Sequence, residues 1–165
     1  MKIVYIIMGI PGSGKSTLTQ EIVNYYRQLQ FPVYWCSADD YFKANAVGEY
    51  RFDRNKLGNA HGSCKQKFQN GINDNSENVC VIVDNTNVKI RDSQFYYDEA
   101  IKNGFNVKYI EPDTAWKDNA FYCSQKNTHG VPYQTIVGML DSLNNTKKVL
   151  KEKGIKIYEG FRESI

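Results

Sequence analysis

The sequence predicts a doubly wound α/β fold with a parallel sheet of about five strands. Apolar runs of strand length alternate along the chain with longer segments that have helical spacing. A cluster of polar residues follows each of the first four apolar runs, as expected at the carboxyl edge of a parallel sheet, where ligands bind. The 165 residues are 41% hydrophobic and contain no linker-like tract, which predicts one domain over residues 1–165.

The predicted strands are short, and the first and third are apolar almost throughout. Such continuous runs are typical of strands that a parallel sheet buries on both faces. We predict strands over residues 3–8, 33–36, 79–83 and 107–110, with a short last strand over 155–158.

The segments between the strands carry apolar residues at helical spacing, so helices are predicted to cover both faces of the sheet. Gly104 directly follows the third of these segments, where a glycine commonly ends a helix. The predicted helices cover residues 15–29, 54–71, 90–103, 114–126 and 133–150.

A complete phosphate-binding loop, Gly-Ile-Pro-Gly-Ser-Gly-Lys-Ser-Thr over residues 9–17, joins the first strand to the first helix. Its glycines let backbone N–H groups converge on a phosphate, and the helix adds its positive N-terminal dipole. Lys15 can reach the β- and γ-phosphates, while the Ser16 hydroxyl can bind Mg²⁺. A P-loop nucleotide-kinase fold that uses ATP (or GTP) and Mg²⁺ is therefore predicted. The predicted nucleotide-binding residues are Gly12, Ser13, Gly14, Lys15, Ser16 and Thr17.

Carboxylates follow the second and third predicted strands. Asp39 is placed to accept the proton of an attacking hydroxyl, which makes it the predicted general base. An aspartate there could also cap the following helix, and with Asp40 adjacent one acid can cap while the other catalyses. Asp84 directly follows the third predicted strand and is predicted, with Ser16, to hold the Mg²⁺.

Polar and aromatic residues beside these acids are predicted to face the phosphoryl acceptor. Asp40 and Tyr41 belong to this predicted substrate side, although ordinary packing explains most tyrosines of the chain. Asn85, Thr86 and Asn87 could hydrogen-bond the acceptor or a phosphate, or could simply form an Asx-type turn.

A basic segment that contains Lys126, His129 and Gly130 lies between the last two predicted helices. In this class of fold, a mobile lid at that position closes cations over the transferring phosphate. We therefore predict catalytic roles for Lys15, Asp39 and Lys126, and a substrate contact for His129. The alternative is a plain loop between two helices.

Charge and cysteine usage give weaker constraints. The net charge of +3 does not by itself identify a nucleic-acid binder. The four cysteines are scattered without a C-x-x-C pair, as in a reducing compartment, so an intracellular (cytoplasmic or nuclear) location is expected. No stretch approaches the length needed to cross a bilayer, and no membrane partner is expected.

The motifs together resemble the P-loop kinase module of polynucleotide 5′-hydroxyl kinases, and more closely a branch of related predicted P-loop kinases found as domains in larger proteins. Besides the phosphate loop, the matching elements are D-D-Y at 39–41, D-N-T-N at 84–87 and E-P-x-T-x-W at 111–116. The resemblance implies transfer of the γ-phosphoryl group to the 5′-hydroxyl of DNA or RNA, with Asp39 as general base.

The chain departs from the phage members of that family at three places. Phe42 stands where they have an arginine that holds the acceptor phosphate. Lys126 and Asn127 replace an Arg-Asn pair of the lid, and the acidic residue of D-T-N is shifted to Asp84. Lysine lacks the bidentate fork of arginine, which weakens the expected stabilisation of the transition state by the lid.

Three functions remain open from the sequence. The first is a kinase of polynucleotide 5′-hydroxyl ends, as in nucleic acid repair, with a nucleic-acid end as its partner. The second keeps the kinase chemistry but uses a small-molecule hydroxyl acceptor. The modest net charge and Phe42 favour it, because polynucleotide binding normally uses several phosphate contacts. The third is a nucleotide-binding switch module without efficient catalysis.

Overall fold

The computed structural model describes residues 1–39 and 53–165. Within them, one sheet of five parallel strands has the order β2-β3-β1-β4-β5, which confirms the predicted doubly wound α/β fold. Asp40 and Tyr41 lie outside the described residues. The strands are β1 Lys2–Ile7, β2 Val33–Cys36, β3 Val79–Asp84, β4 Asn106–Glu111 and β5 Ile157–Glu159.

Helices cover both faces of this sheet. In the described part of the chain they are α1 Lys15–Gln28, α2 Leu57–Ile72, α3 Ile90–Lys102, α4 Ala120–Lys126, α5 Tyr133–Glu152 and α6 Phe161–Ser164. A 3₁₀ turn over Arg54–Lys56 precedes α2.

The central strand β1 divides the core into two apolar layers because its side chains alternate between the faces. Tyr5 and its neighbours at alternate positions pack with buried residues of α1 and with Phe161 of α6. Ile6 and its neighbours pack on the other face, with Phe68 of α2 and with buried residues of α3 and α5. Burial of each of these large apolar side chains stabilises the fold by about 1.5–3 kcal/mol. A well-packed core therefore supports the site at the carboxyl ends of the strands.

The predicted helix over residues 114–126 is wrong in its first half. Residues 112–119, here called the clamp segment, precede α4 without forming a helix of their own. Thr114 and Trp116 use their side chains to hydrogen-bond carbonyl groups of the phosphate loop. The helix begins only after Asn119, whose side chain accepts a hydrogen bond from Tyr122 N. Tertiary contacts here override the local helical pattern.

The other boundaries lie close to the predicted ones. Gly104 follows the last residues of α3 with φ of 78°, as predicted for a glycine that ends a helix. The last strand begins at Ile157 rather than at Ile155, because Ile155 N still donates to Leu150 O at the end of α5. No helix within residues 1–39 and 53–165 is long and apolar enough to cross a lipid bilayer.

Candidate active site

The phosphate loop leaves the end of β1 and turns directly into α1. Gly12 and Gly14 have φ angles of 82° and 109°, a left-handed region that favours glycine. A Cβ atom on Gly12 would lie 2.2 Å from the carbonyl oxygen of Cys123 in α4. Glycine is therefore required at residue 12 both by the backbone conformation and by the close approach of α4.

Hydrogen bonds from the clamp segment fix the outer side of the phosphate loop. Thr114 Oγ1 donates to Ser13 O at 2.7 Å, and Trp116 Nε1 donates to Gly12 O at 3.1 Å. Since a trans peptide points its C=O and N–H in opposite directions, holding Ser13 O directs Gly14 N–H to the opposite side of the loop. The clamp segment therefore preorganises the loop backbone.

A buried ion-pair cluster anchors the clamp segment in turn. Glu111, 5% exposed at the end of β4, accepts from Lys117 Nζ at 3.1 Å and from Lys147 Nζ of α5 at 2.8 Å. Carboxylate pairing and hydrogen bonding raise the pKa of Lys117, although desolvation acts against them. This supporting role of the E-P-x-T-x-W element was not predicted from the sequence. Its polar residues at fixed offsets after a strand were the available signal.

Lys15, at the start of α1, lies between opposing electrostatic influences. Its Nζ donates to Ile10 O at 3.0 Å. Burial lowers the pKa of Lys15, while the nearby carboxylates of Asp84 and Asp39 act in the opposite direction. A half-buried ammonium whose hydrogen-bonding capacity is not exhausted by one carbonyl is suited to bind an anion, because the anion compensates the cost of desolvating the charge.

Asp84 ends β3 beside the last residue of β1, with which it is in register. Burial raises the pKa of its carboxyl group, and the Trp35 hydrogen bond and Lys15 counteract that effect. Trp35 Nε1 donates to Asp84 Oδ2 at 2.9 Å and so fixes the orientation of the carboxylate. Trp35 is a second supporting residue that the sequence pattern did not reveal.

Asp39 and the lid, here residues 126–130, meet across the mouth of the site. His129 Nδ1 lies 3.7 Å from Asp39 Oδ2, and both side chains are partly exposed. The loop is closed by Asn127, whose Oδ1 accepts from Val131 N at 2.9 Å. The structure therefore brings the predicted general base and a predicted lid residue into proximity.

Lys126 projects from the last turn of α4 onto two aromatic rings. Its Nζ lies 4.4 Å from the ring centroid of Trp116 and 5.4 Å from that of Tyr122. Both distances lie within the range of cation–π attraction. Lys126, the predicted lid cation, thus lies at the edge of the site against Trp116, which also contacts the phosphate loop.

One cavity of about 550 Å³ joins these groups. It brings together predicted residues from the phosphate loop, the strand ends and the lid. Those that line it are Gly12, Gly14, Lys15, Ser16, Thr17, Asp39, Asp84, Asn85, Thr86, Lys126 and His129. Ser13 is a predicted site residue that does not line the cavity. Its side chain is buried, and its Oγ has no hydrogen-bond partner among the described residues.

Asn85 and Asn87 hold the strand ends together. Asn85 Oδ1 accepts from Ala38 N at 2.9 Å, which connects the ends of β2 and β3. Asn87 is buried with φ of 47°, and its Nδ2 donates to Ile7 O at 2.7 Å. Asn85 also lines the cavity, whereas the side chain of Asn87 supports the backbone behind it.

The donor set around the cavity fits a magnesium ion that comes with a nucleotide. Within the described ranges, no group of three or more His, Cys, Asp or Glu side chains is arranged to hold a metal by itself. Mg²⁺ usually takes one or two protein ligands and completes its shell with phosphate oxygens and water. Ser16 and Asp84 line the same cavity and offer that number of ligands.

The parallel sheet, the glycine-rich loop and the lysine at the start of α1 define a P-loop protein with a kinase-type fold. Residues 1–90 match the family model described as "Chromatin associated protein KTI12", and the chain belongs to this family. Human NEDD4-binding protein 2 is 33% identical over 144 residues, which cover 84% of this chain and 7% of that protein. The chain spans about a third or less of the length of the curated relatives it matches.

Solved structures share this fold at low sequence identity. Kti12 of Chaetomium thermophilum, in complex with ADP-AlF3, is 14% identical with a TM-score of 0.52, over 82% of this chain and 79% of that one. A gluconokinase from Sinorhizobium meliloti 1021 is 15% identical with a TM-score of 0.52, over 94% of this chain and 80% of that one. At these identities the likeness concerns the fold.

Proposed function

We propose that this chain is an ATP-dependent, Mg²⁺-assisted kinase that transfers a phosphoryl group to the 5′-hydroxyl end of a polynucleotide, DNA or RNA, inside the cell. The observation that carries the proposal is the shared cavity. It holds a phosphate loop with a lysine, two carboxylates at neighbouring strand ends and a lid with basic side chains. Phosphoryl transfer needs these groups for positioning, charge neutralisation and proton acceptance.

The phosphate loop and Lys15 bind the triphosphate in this proposal. The N–H groups of the loop and the start of α1 face the phosphates, and the Lys15 ammonium neutralises charge that the buried site otherwise excludes. Ser16 and Asp84 would hold the Mg²⁺, which supplies neutralisation of negative charge on the transferring phosphate when it is bound. The ADP-AlF3 complex of the C. thermophilum relative supports a nucleotide in a site of this kind.

Asp39 acts as the proton acceptor on the opposite side of the cavity. The 5′-oxygen attacks the γ-phosphorus, its proton passes to an Asp39 carboxylate oxygen, and the bond to the bridging oxygen of the departing ADP breaks. Lys126 and His129 stabilise the charge that develops on the transferring group. This assignment agrees with the resemblance to polynucleotide 5′-hydroxyl kinases in the D-D-Y and D-N-T-N elements.

A small-molecule hydroxyl is the second candidate acceptor. Among the described residues, the cavity lining includes two lysines, Lys15 and Lys126, and one histidine, His129. Both lysines are assigned above to the triphosphate side, whereas a polynucleotide normally engages several phosphates. The gluconokinase with the same fold is an example of a kinase named for a small acceptor. A switch module with little catalysis would keep nucleotide binding but lack transfer to either acceptor.

A γ-phosphate transfer assay tests the proposal. Purified protein with Mg²⁺ and labelled ATP is offered 5′-hydroxyl single-stranded RNA, single-stranded DNA and nicked duplex side by side. Label on an oligonucleotide that is lost with Asp39→Asn supports a polynucleotide kinase. Nucleotide binding without oligonucleotide labelling contradicts it, and a screen of small hydroxyl compounds then separates a metabolite kinase from a switch.

A further inference from the structure

We propose that Trp116 is a positioning residue that couples the lid lysine to the phosphate loop, and that bound nucleotide phosphates draw Lys126 away from its ring. The inference rests on the proposed function in one respect, namely that the phosphate loop binds a nucleoside triphosphate. It adds a residue and a movement that the general kinase chemistry does not require.

The edge of the indole ring holds the loop. Trp116 Nε1 donates to Gly12 O at 3.1 Å, while the next peptide is held by Thr114 through Ser13 O. Both carbonyl groups are thereby fixed on the outer side of the phosphate loop. The indole N–H can only donate a hydrogen bond, so Trp116 requires an acceptor such as Gly12 O at this position.

The face of the same ring holds the lysine. Lys126 Nζ lies 4.4 Å from the Trp116 centroid, and Tyr122 forms a second wall whose centroid is 5.4 Å from that of Trp116. Both Trp116 and Lys126 line the cavity that contains the phosphate loop. The ammonium is therefore stored beside the position where it would act.

Phosphates change the balance for this lysine. A phosphate offers a full negative charge and charge-assisted hydrogen bonds, which are stronger than attraction to the partly exposed face of a ring. Lys126 should then leave the ring when a triphosphate occupies the loop, whereas a ligand without phosphates should leave it in place. The Trp116 ring would report the change directly, because its face loses the lysine that covers it.

Acrylamide quenching of Trp116 fluorescence tests this movement in a Trp35→Phe background, which leaves Trp116 as the one tryptophan because the chain has two. We expect the Mg²⁺ complex of ATP to raise the quenching constant about twofold, and adenosine to leave it unchanged. With Lys126→Ala, the constant should be high without nucleotide and unresponsive to ATP. Calorimetry on the same proteins measures ATP binding independently of fluorescence.

Lys65→Ala is the matched control. Lys65 Nζ also lies over an aromatic ring, that of Phe95 at 4.8 Å, where α2 meets α3. This variant should keep the ATP-dependent change in Trp116 quenching. If Trp35→Phe weakens ATP binding, the signal of Trp116 is obtained by difference instead. The fluorescence of Trp116→Phe, which keeps only Trp35, is subtracted from that of the unmodified chain.

The outcomes separate the two proposals. ATP binding without a change in Trp116 quenching overturns the coupling and leaves the proposed kinase function intact. A change that persists in Lys126→Ala also overturns it, because another group would then cover the ring. Absence of ATP binding in calorimetry, in the unmodified chain, refutes the proposed function and the coupling together.

Discussion

The phosphate-loop half of the site and the lid half are held in different ways. The phosphate-loop half comprises residues 9–17 and residues 111–117. Hydrogen bonds and ion pairs of 2.7–3.1 Å join these two segments to each other and to the rest of the fold. The lid half comprises Asp39 and residues 126–130. Among the described contacts of this half are a 3.7 Å approach between His129 and Asp39 and a lysine that rests on aromatic rings.

This difference indicates which half is preorganised. Hydrogen bonds from the Thr114 and Trp116 side chains to backbone carbonyl groups fix the loop before a nucleotide arrives, so little reorganisation is needed to bind phosphates. Partly exposed polar side chains 3.7 Å apart contribute little to stability and can exchange partners easily. We infer that the phosphate-loop half determines nucleotide binding, whereas the lid half completes its arrangement when substrates bind.

The largest effect is expected from Lys15→Ala, which removes the cation of the phosphate-loop half. Loss of a preorganised electrostatic contact of this kind costs about 10²–10³-fold or more in turnover, so the transfer assay should show no labelling above background. Lys102→Ala, at the exposed end of α3, is the control and should retain full activity. Substantial turnover by Lys15→Ala would remove the loop from the proposed mechanism.

Asp39→Asn should separate the two halves. Loss of a general base typically lowers turnover by about 10²–10⁴-fold, yet the phosphate-loop half remains unchanged. Calorimetry is expected to give an ATP dissociation constant within about threefold of that of the unmodified chain. Normal transfer by this variant would assign proton acceptance to another group, while a large loss of ATP affinity would show that the halves are not independent.

Gly12→Ala tests how rigidly the phosphate-loop half is packed. The new Cβ would lie 2.2 Å from Cys123 O and would occupy a left-handed conformation, so the loop and α4 must separate. We expect a loss of about 2 kcal/mol or more in the free energy of unfolding, measured by urea titration, together with weaker ATP binding.

Gly138→Ala is the matched control for that substitution. Gly138 lies within α5, and a Cβ there meets nothing within 4 Å among the described residues. Alanine at this helical position should stabilise the protein by about 0.5–1 kcal/mol. Equal stability changes for the two variants would contradict the close packing of the loop against α4.

The two halves also differ in how well the sequence predicts them. The phosphate loop is specified by local residues, since the glycines set the turn and Lys15 and Ser16 follow at fixed offsets. The start of α4 could not be predicted, because Thr114 and Trp116 make contacts with residues about a hundred positions earlier in the chain.

Asn85 and Asn87 show a second limit of sequence-based prediction. The two residues are alike and only two positions apart, yet Asn85 lines the cavity while Asn87 is buried with its amide on Ile7 O. Only the backbone path decides between these placements, in particular the φ of 47° at Asn87. Identical residue types therefore predict a site but not the position of each side chain within it.

The smallest expected effect comes from Lys126→Arg, which strengthens the weakly held half without disturbing the other. Arginine can still rest on the Trp116 ring, and its planar fork can bind a phosphate through two hydrogen bonds where lysine acts as a point charge. We expect turnover to rise about threefold to tenfold, with an unchanged ATP dissociation constant, in steady-state transfer assays. Lys126→Ala should lower turnover and weaken ATP binding only slightly, because the contact of the lysine with phosphate replaces its contact with the ring. If arginine lowers turnover as much as alanine does, the lid lysine acts through its fit to the aromatic rings rather than through the phosphate. The weak contacts of the lid half would then not limit the reaction.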